Sequence, residues 1–472
     1  MSLCSRAFQS CTVLAAACTV SASAARGQDT LRLSLADALA RAVRESDEIQ
    51  LARSQLDLAD AQVTTARAAG LPQLRFSGSY SQVIRNARAE IVSGQIFGQA
   101  FTYTTNVNVS QTLFQGGRVF AGSRAAVDVR RAARFSLDEV RSQLAVDAQR
   151  AYLSAVLARE LENVQRRNVA LAAERAALVE RLQSGGRASR FDVLRARVER
   201  VNLEPALLQA ATAREVADIE LRRLLNLSTD RPLDLTSQLD TAALLAVVQT
   251  VKADTGREPT RASERAAEYS LEARRQSVRA ARADFLPTVS TFFQTGFTAL
   301  PTSNGIPTIR GDRASSYCAP GSPPDRVCQN NGWFTDRNFG LQVQWPLFDG
   351  LRAKGSVDLA QAQERVARLQ LVQTREQIGA ERARARAELA RAEASYHAQR
   401  QNVAEAEEAF RIASLRFERG LGTQLEVSDA QLLLLTASTN AARATTDYYL
   451  AAAELARARG LEIPLPPTRD SR

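Results

Sequence analysis

The sequence predicts a mainly α chain with a small β part, built as an internal duplication. Three observations carry this. The stretch around Gly186, LQSGGRASRFDVLRAR, returns around Gly420 as RFERGLGTQLEVSDAQ, and Leu113-Phe114-x-Gly116 returns as Leu347-Phe348-x-Gly350, both at an offset of 234. In each copy 70 positions separate the Leu-Phe-x-Gly glycine from the turn glycine, enough for one helix of roughly 100 Å. Between the helical stretches lie segments in which apolar and polar residues alternate, the pattern of strands.

Each copy, about 34–226 and about 258–460, has one order of elements: helix, Leu-Pro, strand, loop, strand, Leu-Phe-x-Gly, very long helix, Gly turn, returning helix. Ser34-x-x-Asp37 predicts a capped helix running to about Ala69, and Pro72 stops it. Strands follow, with Leu74, Phe76 and Tyr80 on one face, then Phe101, Tyr103, Val107, Val109 and Leu113. The second copy supplies Val289, Phe293 and Phe297, then Phe339, Leu341, Val343, Trp345 and Leu347, with polar residues such as Asn106, Asn108, Gln342 and Gln344 between. The β segments 72–114 and 287–348 hold 15 of the 27 aromatic residues, so their apolar face needs a partner. A two-stranded hairpin does not stand alone in water. Four strands also do not close a barrel, and an open edge is not tolerated in lipid, so strands that span a membrane here require several chains sharing one barrel.

Heptad spacing marks the half of each long helix nearest its turn. Leu157, Val164, Leu171 and Leu178 form one stripe; Leu389, Tyr396, Val403, Phe410 and Phe417 form another. Val427, Leu434, Ala441, Tyr448 and Leu455 answer on the second returning helix, which predicts coiled-coil hairpins around Gly185-Gly186 and Gly420. The returning helices, about 40 residues each, and the helices before each Leu-Pro together match one long helix in length. Pro205 is expected to kink the first returning helix. Residues 227–257 join the copies as a small mid-length decoration, and 461–472 form a tail.

Composition narrows the function. The 472 residues are 45% hydrophobic and 24% charged, a balance that is neither disordered nor that of a helical membrane bundle. The net charge of +10 is spread as Arg among Asp and Glu, as in SERAAEYSLEARR, which describes solvated helix faces and excludes a nucleic-acid partner. Residues 1–24 read as a secretory signal peptide, with Ala15-Ala16-Ala17-Cys18 as an imperfect lipidation box. Downstream, no uncharged apolar stretch reaches the roughly 18 residues of a spanning helix. Cys318 and Cys328 flank a Gly/Pro-rich loop, and in an exported protein a disulfide between them is the expected reading. A single histidine, His397, leaves neither a metal site nor a triad, and no G-x-S-x-G is present; no catalysis and no cofactor are expected.

Taken together, SLADALARAVRESDEIQLA (34–52), AAGLPQL (68–74), both Leu-Phe-x-Gly motifs and the two turn motifs resemble the TolC-type outer-membrane efflux proteins across nearly the whole chain. The resemblance implies a homotrimer in which three chains share a transmembrane β-barrel, two hairpins from each, and their coiled-coil hairpins form an α-barrel through the periplasm. It implies an exit duct for a tripartite efflux pump or a type I secretion system. The partners would be a periplasmic adaptor, an inner-membrane RND or ABC-type transporter, and outer-membrane lipid. It places the Gly turns at the periplasmic tips. There Gly185, Gly186, Ser189, Phe191, Gly420, Gly422, Thr423 and Leu425 would form the docking turns, and Asp192, Glu426 and Asp429 an acidic ring at the entrance. For Asp192 and Glu426 the alternative is that each acid serves its helix N-terminus. Arg195 stands where the second copy has Asp429, and Gly422 stands where some relatives carry a basic residue that helps lock the tip. That absence leaves coiled-coil packing as the main force expected to hold the tip closed. A different class of function, a non-channel periplasmic or surface coiled-coil protein, predicts instead a chain soluble without detergent.

Overall fold

In the computed structural model, residues 31–84, 101–228, 232–236, 246, 248–252, 259–299 and 333–461 are described. The expected signal peptide, the tail from 462 onward and the Cys318–Cys328 pair lie outside the described residues.

The chain opens with strand β1 (Leu31–Leu33) and helices α1 (Leu35–Glu45) and α2 (Asp47–Ala68). Sequence alone predicts one helix here; the structure has two, because Ser46 turns extended at φ −67°, ψ 152° and its hydroxyl accepts from the Ile49 N–H. A serine able to cap a new helix wins locally over continuation of the old one. Strands β2 (Gln73–Gln82) and β3 (Phe101–Gln115) lead to α3 (Arg118–Ser184), and α4 (Arg190–Leu224) returns. The helix continues through Pro205 without a break. Strand β4 (Leu233–Leu235) pairs in parallel with β1, a contact across 200 residues that no local pattern announces.

The second copy repeats the plan: α5 (Ala262–Arg282), β5 (Thr288–Ala299), β6 (Trp333–Gln344), α6 (Arg352–Glu418) and α7 (Gln424–Arg459). The two long helices, α3 and α6, are each 67 residues. Helices α2 and α4 pack along α3, α7 packs along α6, and α5 lies between the two long helices in contact with both. At mid-length lies the main core, where Ile49, Tyr152, Leu221, Leu225 and Tyr448 are almost fully buried. The Tyr152 hydroxyl donates to the Leu33 carbonyl at 3.0 Å, which fixes the N-terminal strand to the long helix.

The β-hairpins join in one antiparallel sheet of order β2-β3-β5-β6. Its register places Leu74, Val109, Phe293 and Phe339 in one row, and Tyr80, Tyr103, Ala299 and Trp333 in another, on the same face. Among the described residues that apolar face carries no helix or second sheet: Leu74, Phe76 and Phe339 are each more than 70% exposed. Behind it, Arg75, Asn108, Gln294 and Asn338 make the polar face. Phe292 breaks the alternation on that polar side, and its ring lies where a side chain at residue 340 would stand; Gly340 leaves the room.

At the sheet-to-helix junctions the backbone is left-handed. Gly116 has φ +58°, and a Cβ there would lie 2.9 Å from the Ala283 carbonyl oxygen. Gly117 has φ +80°, and its counterpart in the second copy is Leu351, also left-handed at φ +70°. A left-handed non-glycine residue costs about 1–2 kcal/mol. Leu351→Gly is therefore expected to raise the thermal unfolding midpoint of the helical body; an unchanged or lower midpoint refutes stored strain at this junction.

Candidate functional site: the hairpin tips and the bare sheet

The two turns between long and returning helices are the same structure. Gly186 (φ +71°) and Gly420 (φ +74°) each end a long helix in the left-handed conformation. In the first, Gly186 N–H donates to Gln183 at 2.9 Å and Arg187 N–H to Leu182 at 2.8 Å; in the second, Gly420 donates to Phe417 at 3.0 Å and Leu421 to Arg416 at 2.8 Å. These pairs of bonds satisfy the last helix carbonyls, and a side chain at the glycine position would be strained. Gly185 precedes the first turn as the helix C-cap.

Each returning helix then starts on a hydroxyl. Ser189 accepts from the Asp192 N–H at 3.2 Å, and the Asp192 carboxylate accepts from the Ser189 N–H at 3.0 Å and its hydroxyl at 2.6 Å. The box is complete, and the Ser189 hydroxyl and backbone bonds hold the Asp192 carboxyl below the usual carboxylate range. Thr423 accepts from the Glu426 N–H at 3.3 Å and donates to its carboxylate at 3.4 Å. Both acids thus serve their helix starts. Asp429 differs: it is exposed, one turn further on, and has no hydrogen bond or ion pair among the described residues.

A basic residue does reach the second tip, from an unexpected position. Arg416 donates to the Leu421 carbonyl at 3.3 Å and stands 3.9 Å from the Glu426 carboxylate. A side chain at Gly422 would crowd that pair, its Cβ 3.1 Å from Glu426 Oε2 and 3.2 Å from Arg416 Cβ. Outward, Phe191 is 69% and Leu425 46% exposed, and the apolar edge of α4 continues through Leu194, Val198 and Val201.

Behind the tips, the packing departs from the heptad expectation in the first copy. The buried residues there are Ala176, Val179, Val193 and Ala196, with Phe417 of the second hairpin resting on them. Leu171 remains 37% exposed, and with Val164 it lines a cleft of about 180 Å³ opposite Gln431, Leu434 and Leu435. Small alanines let α3 and α4 close on each other, which turns the leucine stripe toward the other hairpin.

The two hairpins are tied by polar groups. Arg175, on α3, donates to Glu199 of α4 at 3.0 Å and to the Ser428 hydroxyl of α7 at 2.9 Å; that hydroxyl donates to the other Glu199 oxygen at 3.0 Å. Gln431 reaches Asn168 in the same seam. Sequence reasoning missed these residues. The available signal was that Asn168 and Arg175 are seven apart on a heptad helix, where polar side chains at a buried position need a defined partner.

No helix among the described residues is long and apolar enough to cross a membrane. Comparison with curated proteins gives no match. Solved structures share the fold. The outer membrane protein VceC from Vibrio cholerae is 21% identical with TM-score 0.70, covering 91% of this chain and 97% of that one. A membrane protein from Pseudomonas aeruginosa is 21% identical with TM-score 0.72, covering 90% and 93%. The CmeC outer membrane channel of Campylobacter jejuni is 16% identical with TM-score 0.71, covering 90% and 85%. The model of the outer membrane efflux protein family matches residues 38–227 and 261–461, most of the described chain, and the protein belongs to that family.

Proposed function

We propose that three copies of this chain form one continuous duct, a twelve-stranded barrel in the outer membrane carried on a helical barrel that crosses the periplasm. The observation that carries this is the sheet: its apolar face is bare, its opposite face is polar, and its edge strands β2 and β6 have no outer neighbour among the described residues. An apolar exterior belongs in lipid, and free edges there must be paired. Three four-stranded sheets closing on one another meet both needs and leave the polar face around water.

The duct is passive. Its tips dock a periplasmic adaptor through the turns at Gly185-Gly186 and Gly420–Leu425, where Phe191 and Leu425 offer exposed apolar surface. An inner-membrane transporter of the RND or ABC type performs the work, in efflux or in type I secretion. Heat-sensitive oligomers of about three times the mature mass on a mild-detergent gel, with ion conductance in planar bilayers, are the expected results; a chain extracted as a soluble monomer rejects the duct.

Among the tip acids, Asp429 is the one whose charge is unspent on its own helix, so three copies ring the entrance with it. Such a ring concentrates cations and is plugged by multivalent ones. Asp429→Asn is expected to weaken cation selectivity and block by divalent ions. Asp192→Asn should mainly lower stability, by loosening the reciprocal bonds between residue 192 and the Ser189 cap. Equal effects of the two variants on selectivity would overturn the division.

A further inference from the structure

Only three charged residues occur in the described part of the four-stranded sheet, and all three sit on its edge strands. They are Arg75 on β2, and Asp336 and Arg337 on β6. The register sorts them by face. Arg75 lies in the row Arg75–Asn108–Gln294–Asn338, and Asp336 in the next polar row, Ser77–Asn106–Gly296–Asp336. Arg337 falls on the apolar face, in the row of Phe76, Val107 and Thr295. So each chain presents one cation on one free edge and one anion on the other, both toward the polar side.

We infer that the seam between subunits is β2 of one copy against β6 of the next, and that Arg75 pairs there with Asp336 of the neighbouring copy on the lumen face. This rests on the shared-barrel reading and adds the residues that set its register. Strand directions alternate across the sheet, so β6 meets the next copy's β2 antiparallel, as every pair within the chain does. Within one chain Arg75 has no ion pair among the described residues, and Asp336 is held only by the Asn338 amide at 3.3 Å. The two edge strands are separated by β3 and β5, so they meet only between copies.

The geometry allows a range of registers. A row running straight on brings Asp336 opposite the neighbour's Ser77, and Arg75 is the adjacent residue on that face. A stagger of roughly four residues per subunit, of the kind that closes a tilted barrel, brings it opposite Gln73 when it runs toward the start of β2, again next to Arg75. Diagonal neighbours on one face lie about 7–8 Å apart, within the span of an arginine side chain. The pair would also hold the polar face toward the lumen, because a one-residue slip sends every side chain to the opposite face.

The two charges cancel in the lumen while they are paired. Removing either one would leave three copies of the other lining the water path.

The test uses the full-length protein in mild detergent and in planar bilayers. Arg75→Glu and Asp336→Arg are each expected to lower the temperature at which the trimer dissociates, and the double exchange to restore it. Arg75→Cys with Asp336→Cys in one chain is expected to give subunits cross-linked by a short bifunctional thiol reagent that spans a diagonal pair, with each single variant as control. Asp336→Asn should shift the reversal potential toward anions, and Arg75→Gln toward cations. If the unaltered protein forms no trimer, the shared-barrel reading fails. If it forms trimers but the double exchange is no more stable than the weaker single variant, or the cysteines stay uncross-linked, the pairing is overturned while the barrel stands.

Discussion

Arg261→Met is expected to be strongly destabilising to the helical body, lowering stability by about 3 kcal/mol or more. Arg261 is buried at the start of α5 and contacts two carboxylates from different long helices, Glu139 of α3 and Glu381 of α6. Arg457 of α7 completes the node, 3.6 Å from Glu139 and 3.4 Å from Glu381. Glu139 has a second role: it accepts from the Ser263 N–H at 3.2 Å, capping α5, which has no side-chain cap of its own. Without Arg261, two carboxylates face each other across the junction of the two copies with one cation between them. Loss of helical signal on heating reads the effect, and a midpoint within a degree of the parent sinks it.

Glu381 adds a pH signature. Burial pushes its carboxyl up, but the hydrogen bond and charge of Arg261, with Arg457, outweigh that and hold it below the ordinary glutamate value. A lowered folded pKa contributes stability that is fully present above the ordinary value of about 4.5, and that is lost as pH falls through the lower folded one. Arg261→Met should therefore shrink the acid-dependent loss of stability below pH about 4.5. An unchanged acid limb would locate that dependence elsewhere.

The second large effect is expected at the other end of the helices. Glu199→Ala leaves the Arg175 guanidinium, whose side chain is only 7% exposed, with the Ser428 hydroxyl as its remaining partner. Burial already pushes Arg175 down from its ordinary value, and Glu199 opposes that push. Stranding a buried charge costs about 3–5 kcal/mol. The strain falls between the hairpins, since Arg175, Glu199 and Ser428 belong to α3, α4 and α7. Expected are a lower unfolding midpoint and higher single-channel conductance as the tips part; the double variant Arg175→Leu with Glu199→Leu should recover much of the stability. Conductance unchanged in Glu199→Ala would mean that apolar packing around Phe417 alone holds the tips.

What the sequence determined by itself is local and repetitive. The offset of 234, the turns at Gly186 and Gly420, the returning helices after them and the alternation of the strands were all legible. Each depends on φ, on period or on a neighbour within four residues. Family membership was legible for the same reason, since it rests on the order and spacing of such motifs. The tertiary structure decided what depends on partners far along the chain. Arg175 and Ser428 are 253 residues apart, and Arg261 and Glu139 are 122 apart, so neither node has a local signature. Only packing turned the Leu171 stripe away from its own hairpin, because alanines at 172 and 176 filled the interior first. Only the register set Arg75 and Asp336 on the same polar face of opposite edges, where alternation along each strand had left their relation open. Side-chain period is a property of one segment, whereas an ion pair is a property of two.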